Sequence, residues 1–319
     1  MALPLLTGCD LVADIGGTNA RFAIHHVGEF LREQVLPCND FSRFADAFRH
    51  YCDSQNVQPA RAAIAIANPV LGDRIQMTNH HWSFSISETR GELGLTVFNV
   101  INDFEALALS LPFLPAADLR QFGGGKPVPG AVKAVIGPGT GLGVASLANH
   151  HGHWQALPAE GGHVTFPARS KREWALVEKL APQYDGHVSA ERLISGPGLA
   201  LIYQGLAALD GVAIESLTPA EITQRALAGA DPRCEEVLQL FCSALGNVAG
   251  NLALTVGARG GVYIGGGIVP KLGEFFFRSG FRHAFEGKGR FEHYLGPIPV
   301  YVIHSAYPAF VGAVRSLSI

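Results

Sequence analysis

The sequence predicts an α/β protein built from two related domains, and three observations carry that expectation. The chain has 319 residues, and globular domains average roughly 150. Apolar residues make up 48% of it, enough to fill sizeable cores and to exclude intrinsic disorder. Most telling, a strand, a glycine turn bearing a threonine and a second strand occur near the N-terminus and again in mid-chain.

Taken in order, residues 11–15 read as a buried strand ending in Gly16-Gly17-Thr18-Asn19. Residues 21–24 resume as a second strand and 33–36 as a candidate third, so a β-hairpin encloses the glycine pair. Phe41, Phe44, Ala45 and Phe48 recur at helical spacing. Residues 62–67 and 97–101 are apolar strands, the second ending at Asn102-Asp103 before a short helix with Ala106, Leu107, Leu109 and Ser110. Residues 131–136 open the second copy, which turns through Gly137-Pro138-Gly139-Thr140-Gly141-Leu142-Gly143 into a strand at 144–147. Pro112, Pro115 and the 123–129 loop mark the boundary between the copies. The last third is mainly helical. Thr218 to Glu221 forms a capping box with Pro219 at the first helical position, and Asp231-Pro232 starts a longer helix running through Leu252. A strand at 261–264 closes in Gly265-Gly266-Gly267, a last strand spans 300–303, and a terminal helix spans 309–317.

Composition excludes several classes of function. The net charge is −3, from 24 basic and 27 acidic residues; they are mixed along the chain, which argues against nucleic acid as a partner. The five cysteines (Cys9, Cys38, Cys52, Cys234, Cys242) form no CxxC pair, which suits reduced thiols in a cytoplasm better than a disulfide frame or zinc site. No run of about 18 uninterrupted apolar residues occurs, so no membrane span is expected. Leu6-Thr7-Gly8-Cys9 resembles a lipoprotein processing site but lacks a basic n-region and a long enough apolar lead. The 38 glycines exceed the usual ~7%. They show no collagen period and mark tight turns and phosphate loops instead.

The glycine loops are not Walker loops, because neither Gly125-Lys126 nor Gly287-Lys288 has the earlier glycine and the following hydroxyl. The dinucleotide fingerprint fails as well: Leu142 stands where its third glycine belongs, and a strand follows instead of a helix. What these loops offer is backbone N–H groups that can approach phosphate oxygens, with Thr18 and Thr140 adding hydroxyl donors. Asp14, at a strand end, suits a Mg²⁺-bound water. Taken alone, each loop is an ordinary hairpin, Asp103 is a helix N-cap, and Glu191 complements a helix dipole. His150, His151 and His153 read as an exposed hairpin turn in preference to a metal tract.

Together, Asp14 to Arg21, Ile101 to Ala106, Gly137 to Gly143, Glu160-Gly161-Gly162-His163 and Glu191 to Gly198 resemble the bacterial glucokinase family, in order and over nearly the full chain. The resemblance implies a two-lobed actin-like ATPase (ribonuclease H-like) fold with the active site in the cleft between lobes. Residues 1–113 with 304–319 would form the small domain and 114–303 the large one. It implies that Ala13, Asp14, Ile15, Gly16, Gly17 and Thr18, with Gly139, Thr140 and Gly141, hold the ATP phosphates. Gly265, Gly266 and Gly267 would border the adenosine, and Asp14 would reach Mg²⁺ through water. Asn102, Asp103, Glu160, His163 and Glu191 match the sugar-binding positions, with Asp103 as the base. That chemistry is sensible in itself. Hexose hydroxyls need directional acceptors, a sugar hydroxyl needs a base as its oxygen attacks, and the phosphoryl group needs positioning and neutralisation. Thr78, Asn79 and Trp82 are candidates to line the cleft, Trp82 being equally suited to the core.

The implied function is ATP-dependent phosphorylation of D-glucose, the first step of glycolysis, by a cytoplasmic homodimer whose lobes draw together on glucose. Alternatives are a kinase of the same fold acting on another hexose or an amino sugar, or a non-catalytic sugar sensor. The repressor/open-reading-frame/kinase family shares the fold but carries a cysteine-rich zinc motif. Here Val164 to Arg169 follows His163, and no cysteine lies between Cys52 and Cys234. A sensor would call for an added DNA-binding segment, whereas nothing precedes the first strand, and it would not need Asp103 as a base. Residues 1–9 extend a little beyond the family's usual start, with no assigned role.

Overall fold

The computed structural model describes residues 3–78 and 80–318. The chain divides into two compact units, Met1–Leu114 with Ser305–Ile319, and Pro115–His304.

The first unit is built on a five-stranded sheet of β1 (Asp10–Ile15), β2 (Asn19–His26), β3 (Glu29–Pro37), β4 (Arg61–Ile66) and β5 (Val97–Asn102). Their order is β3-β2-β1-β4-β5. The hairpin partners pair antiparallel and β1, β4 and β5 run parallel. Alternation along β1 sends Leu11, Ala13 and Ile15 to one core and Val12 to the other. Helix α1 (Phe44–Gln55) covers the first face, burying Phe44, Ala47, Phe48 and Tyr51 at helical spacing. Phe41 lies outside this helix, which begins after its N-cap Arg43. The second face is covered by the C-terminal helix, Pro308–Ser316, through Phe310 and Ala313.

The register sets the functional edge. Ile15 pairs with Ile66 and Ile66 with Asn102, so three parallel strands finish level. Ligands in open α/β sheets bind beyond such carboxyl ends. Here Asp14 with the Gly16-Gly17 turn, and Asn102 with Asp103 opening helix α2 (Asp103–Ser110), stand at that edge. Residues 3–9, within the extension that the sequence left without a role, contribute a short strand: Leu6–Thr7 pairs in parallel with Val57–Gln58. Arg32 donates to the Pro4 carbonyl at 3.1 Å and Asn56 to that of Leu3 at 2.8 Å. Cys9 is buried at its base.

The second unit carries a six-stranded sheet of β6 (Leu119–Gln121), β7 (Lys133–Pro138), β8 (Leu142–His150), β9 (His153–Ala159), β10 (Val262–Ile264) and β11 (Val300–Ile303). The run β9-β8-β7-β10-β11 repeats the first sheet's order and its pattern of two antiparallel and two parallel pairings. The weak internal repeat in sequence is therefore a full repeat of topology, with β6 added beside β11. His151 and Gly152, with φ of 51° and 89°, make the two-residue turn between β8 and β9, so the histidine run is the hairpin turn its sequence suggests. Helix α3 (Gly196–Asp210) and the 25-residue helix α4 (Pro232–Val256) pack on this sheet. By length and composition α4 is apolar enough to cross a membrane, which a count of uninterrupted apolar residues did not register. In the fold 67% of its most apolar window is buried, and its Val237, Phe241, Leu245 and Ala249 belong to the unit's core.

Candidate active site

In the first unit the hairpin turn is held by its backbone. The Gly16 N–H donates to the Asn19 carbonyl at 3.0 Å, and the Cys38 N–H donates to the Thr18 carbonyl at 2.9 Å. Thr18 is exposed, while Ala13 and Ile15 are fully buried. Their side chains therefore serve packing, and Asp14 between them is the group β1 presents. Arg21, its register partner, donates to Asp14 Oδ2 at 3.1 Å. Burial pushes the Asp14 carboxyl upward, opposed by Arg21.

Asn102, not Asp103, caps α2. Its Oδ1 accepts from the N–H groups of Phe104 and Glu105 at 2.9 and 3.3 Å. Its Nδ2 donates to the Asn68 carbonyl at 3.3 Å. The amide is thus fixed in one orientation, and what it retains for a ligand is an N–H donor. Asp103 is the first helical residue, its Oδ1 also accepting from Phe104 N–H at 2.9 Å. Burial pushes its pKa up to about 6, the charge of Asp14 adding to the effect and hydrogen bonds opposing it. That value is matched to a general base working near neutral pH.

Asn68 escaped the sequence reading. It is 9% exposed, supplies the carbonyl that orients Asn102, and accepts the Thr78 N–H on its Oδ1 at 3.2 Å. Its only signal in sequence is an Asn-Pro pair just past a strand. Thr78 is exposed. Trp82 belongs to the core, being 1% exposed with its Nε1 donating to the Phe41 carbonyl at 2.9 Å. Asn79 lies outside the described residues.

In the second unit the β7–β8 turn, 139–141, is gripped from behind. Gly196, opening α3, donates its N–H to the Gly139 carbonyl at 2.8 Å. Glu191 Oε2 accepts the Leu142 N–H at 2.9 Å. That carboxylate oxygen lies 2.5 Å from where a Cβ on Gly141 would stand, whereas Gly139 faces open space. Thr140 is exposed. The Gly265-Gly266-Gly267 triplet follows β10, with Gly265 N–H bonded to the Ile136 carbonyl at 2.9 Å and Gly266, at φ +78°, against the Pro138 carbonyl. The triplet therefore abuts the end of β7 that leads into this turn.

Glu160 and His163 are exposed neighbours, with His163 Nε2 3.8 Å from Glu160 Oε2. Gly161 and Gly162 lay this segment on β8, against Val144 and the Leu142 carbonyl. His163 and Glu191 line one pocket with His187 and Ser189; Thr140 and Glu191 line another with Pro197. Glu191 thus belongs to both. Among the described residues no group of three or more His, Cys, Asp or Glu is arranged to hold a metal.

An α/β fold with glycine turns of the kind that bind phosphates, and carboxylate, amide and imidazole groups of the kind that bind hydroxyls, is the class of the α/β sugar kinases. The chain belongs to the glucokinase family, whose model, "Glucokinase", matches residues 11–318. It is 53% identical to the glucokinase of Neisseria meningitidis, over 96% of this chain and 94% of that one. It is 52% identical to that of Chromobacterium violaceum, over 97% and 89%. The solved glucokinase of an Antarctic psychrotroph is similar at a TM-score of 0.89, with 36% identity over 97% and 98% of the two chains. A ROK hexokinase from Thermus thermophilus shares the fold, with a TM-score of 0.70 and 18% identity over 97% and 98%.

Proposed function

We propose that this protein transfers the γ-phosphoryl group of ATP to the 6-hydroxyl of D-glucose, giving glucose 6-phosphate and ADP. The observation that carries this reading is Asp103, the first residue of α2 at the edge where three parallel strands end level, with burial and the charge of Asp14 raising its proton affinity. Relatives about half identical over nearly the whole chain, named glucokinases, support it.

Asp103 accepts the hydroxyl proton as the sugar oxygen bonds to the γ phosphorus, and the β–γ bridging oxygen leaves with ADP. Asn102 gives the sugar an N–H donor, while Glu160, His163 and Glu191 supply further partners. The 139–141 and 16–18 turns bring backbone N–H groups to the phosphates, where positioning and charge neutralisation account for most of phosphoryl-transfer catalysis. The 265–267 triplet borders the adenosine. Asp14 fits Mg²⁺ bound through water, since it is a hard oxygen donor whose Oδ1 has no partner among the described residues. When bound, Mg²⁺ neutralises phosphate charge.

The matching strand order of the two units supports the actin-like ATPase fold, with lobes at 1–113 plus 304–319 and at 114–303. The family resemblance supports a cytoplasmic homodimer, acting at the first step of glycolysis. A coupled assay across glucose, mannose, fructose and N-acetylglucosamine, with ATP and polyphosphate as donors, tests the reading. Glucose with ATP is expected to have the highest kcat/KM by at least about tenfold, the scale that 1.4 kcal/mol of discrimination provides. Preference for an amino sugar would reassign the substrate, and sugar binding without turnover would make the protein a sensor.

A further inference from the structure

Glu191 touches more than a ligand pocket. Its Oε2 accepts the N–H of Leu142, the first residue of β8 after the 139–141 turn, while Oε1 has no protein partner among the described residues. The segment that carries it grips the same turn a second time, through Gly196 N–H on the Gly139 carbonyl. Gly141 has no side chain at the place where the Glu191 carboxylate lies. Glu191 lines one pocket with His163 and a second with Thr140. Among the described residues, no other residue that lines these pockets from outside the turn is hydrogen-bonded to the backbone of 139–142.

We propose that Glu191 is the positioning residue through which sugar occupancy sets the phosphate turn, an inference that rests on the kinase reading above. A carboxylate has acceptor sites on both oxygens. A sugar hydroxyl donating to Oε1 fixes the side chain with Oε2 still on Leu142, so the turn is ordered before ATP arrives. ATP then binds without the entropy cost of ordering it, which is positive coupling. Such coupling is reciprocal: ATP tightens sugar binding by the same factor as sugar tightens ATP binding.

The test measures calorimetric Kd values on the full chain with Mg²⁺ present, for AMPPNP with and without saturating glucose, and for glucose with and without AMPPNP. The native protein is expected to show equal ratios of about 5- to 20-fold in the two directions, within the usual range of coupling. Glu191→Ala is expected to bring both ratios to within about twofold of one, a change that general loosening of the fold would not produce. Native-like ratios in Glu191→Ala, or a native ratio of one, would overturn the proposal. Amide exchange on the native protein keeps it testable should that variant fail to fold. Glucose alone should slow exchange at Leu142 at least fivefold, and unchanged exchange overturns the proposal. If the native protein phosphorylates glucose while either result is negative, the inference fails and the kinase reading stands. If it binds neither ligand, the kinase reading itself fails.

Discussion

The charge of Asp14 raises the proton affinity of Asp103. Burial is the larger cause and the like charge of Asp14 adds to it, together placing Asp103 at about 6. The two carboxylates stand at the ends of parallel strands β1 and β5, with β4 between them. Their coupling follows from sheet register.

A base must be unprotonated to work. The kcat/KM for glucose is therefore expected to fall as pH drops through about 6, a limb that reports the free enzyme. Asp14→Asn removes the like charge, so the limb should move to lower pH even as overall activity falls. A pH–rate profile of both proteins checks this, and an unmoved limb would show that burial alone sets the value.

Asp103→Asn should separate catalysis from stability. Loss of a general base commonly costs about 10²- to 10⁴-fold in rate, while glucose binding measured by calorimetry should persist. The folded-state pKa lies above the unfolded value, so Asp103 does no harm below about pH 4 and lowers stability as pH rises through 6. Asp103→Asn should then stabilise the protein at pH 7.5 by on the order of 2 kcal/mol, an advantage that fades at pH 4. Urea denaturation at the two pH values reads the difference; equal differences would contradict it.

Asn102 caps α2, and substitution can part that role from the sugar contact proposed for it. Asn102→Ala removes the cap and should cost about 1 kcal/mol along with sugar affinity. Asn102→Asp keeps an acceptor for the Phe104 and Glu105 N–H groups but loses the N–H donor. It should raise KM for glucose severalfold with a smaller loss of stability. If both variants lose sugar affinity and stability in the same proportion, the amide has no separate role toward the ligand.

Gly312 packs directly on the Ala106 carbonyl, at the spot a Cβ would take. Backbone cannot give way as a flexible side chain can. Gly312→Ala should therefore cost at least about 2 kcal/mol, although alanine is intrinsically better in a helix by about 1 kcal/mol. Gly91, in the helix Ile86–Glu92 with nothing within 4 Å, is the control. Gly91→Ala should stabilise slightly, and two changes of the same sign in thermal denaturation would refute the packing argument.

The core strands were legible in sequence because buried strands read as apolar runs bounded by turn or capping residues, glycine, asparagine and proline among them. The capping box at Thr218 and Glu221 appears as read. Strand β9 was not legible, since it is a largely exposed edge whose residues carry little hydrophobic pattern. The short Leu6–Thr7 strand depends on a partner some fifty residues away. At the site, residue types and their order pointed to the sugar and phosphate chemistry. The division of labour between Asn102 and Asp103 was not readable, because either residue type can cap a helix. Asn68 orients Asn102 through its backbone carbonyl, which every residue possesses, so its side chain gave no signal of that role.

By itself, the sequence determined where glycine turns end strands and which polar residues follow them, since both are written in local pattern. Only the tertiary structure decided why several of those glycines must be glycine. Gly141 leaves room for Glu191, Gly162 for the Leu142 carbonyl and Gly312 for the Ala106 carbonyl. Gly141 and Gly162 lie in segments that resemble ligand-binding motifs, yet at all three glycines the chain approaches itself. These contacts join residues distant in sequence, and an absent side chain leaves no periodicity by which its neighbour can be foreseen.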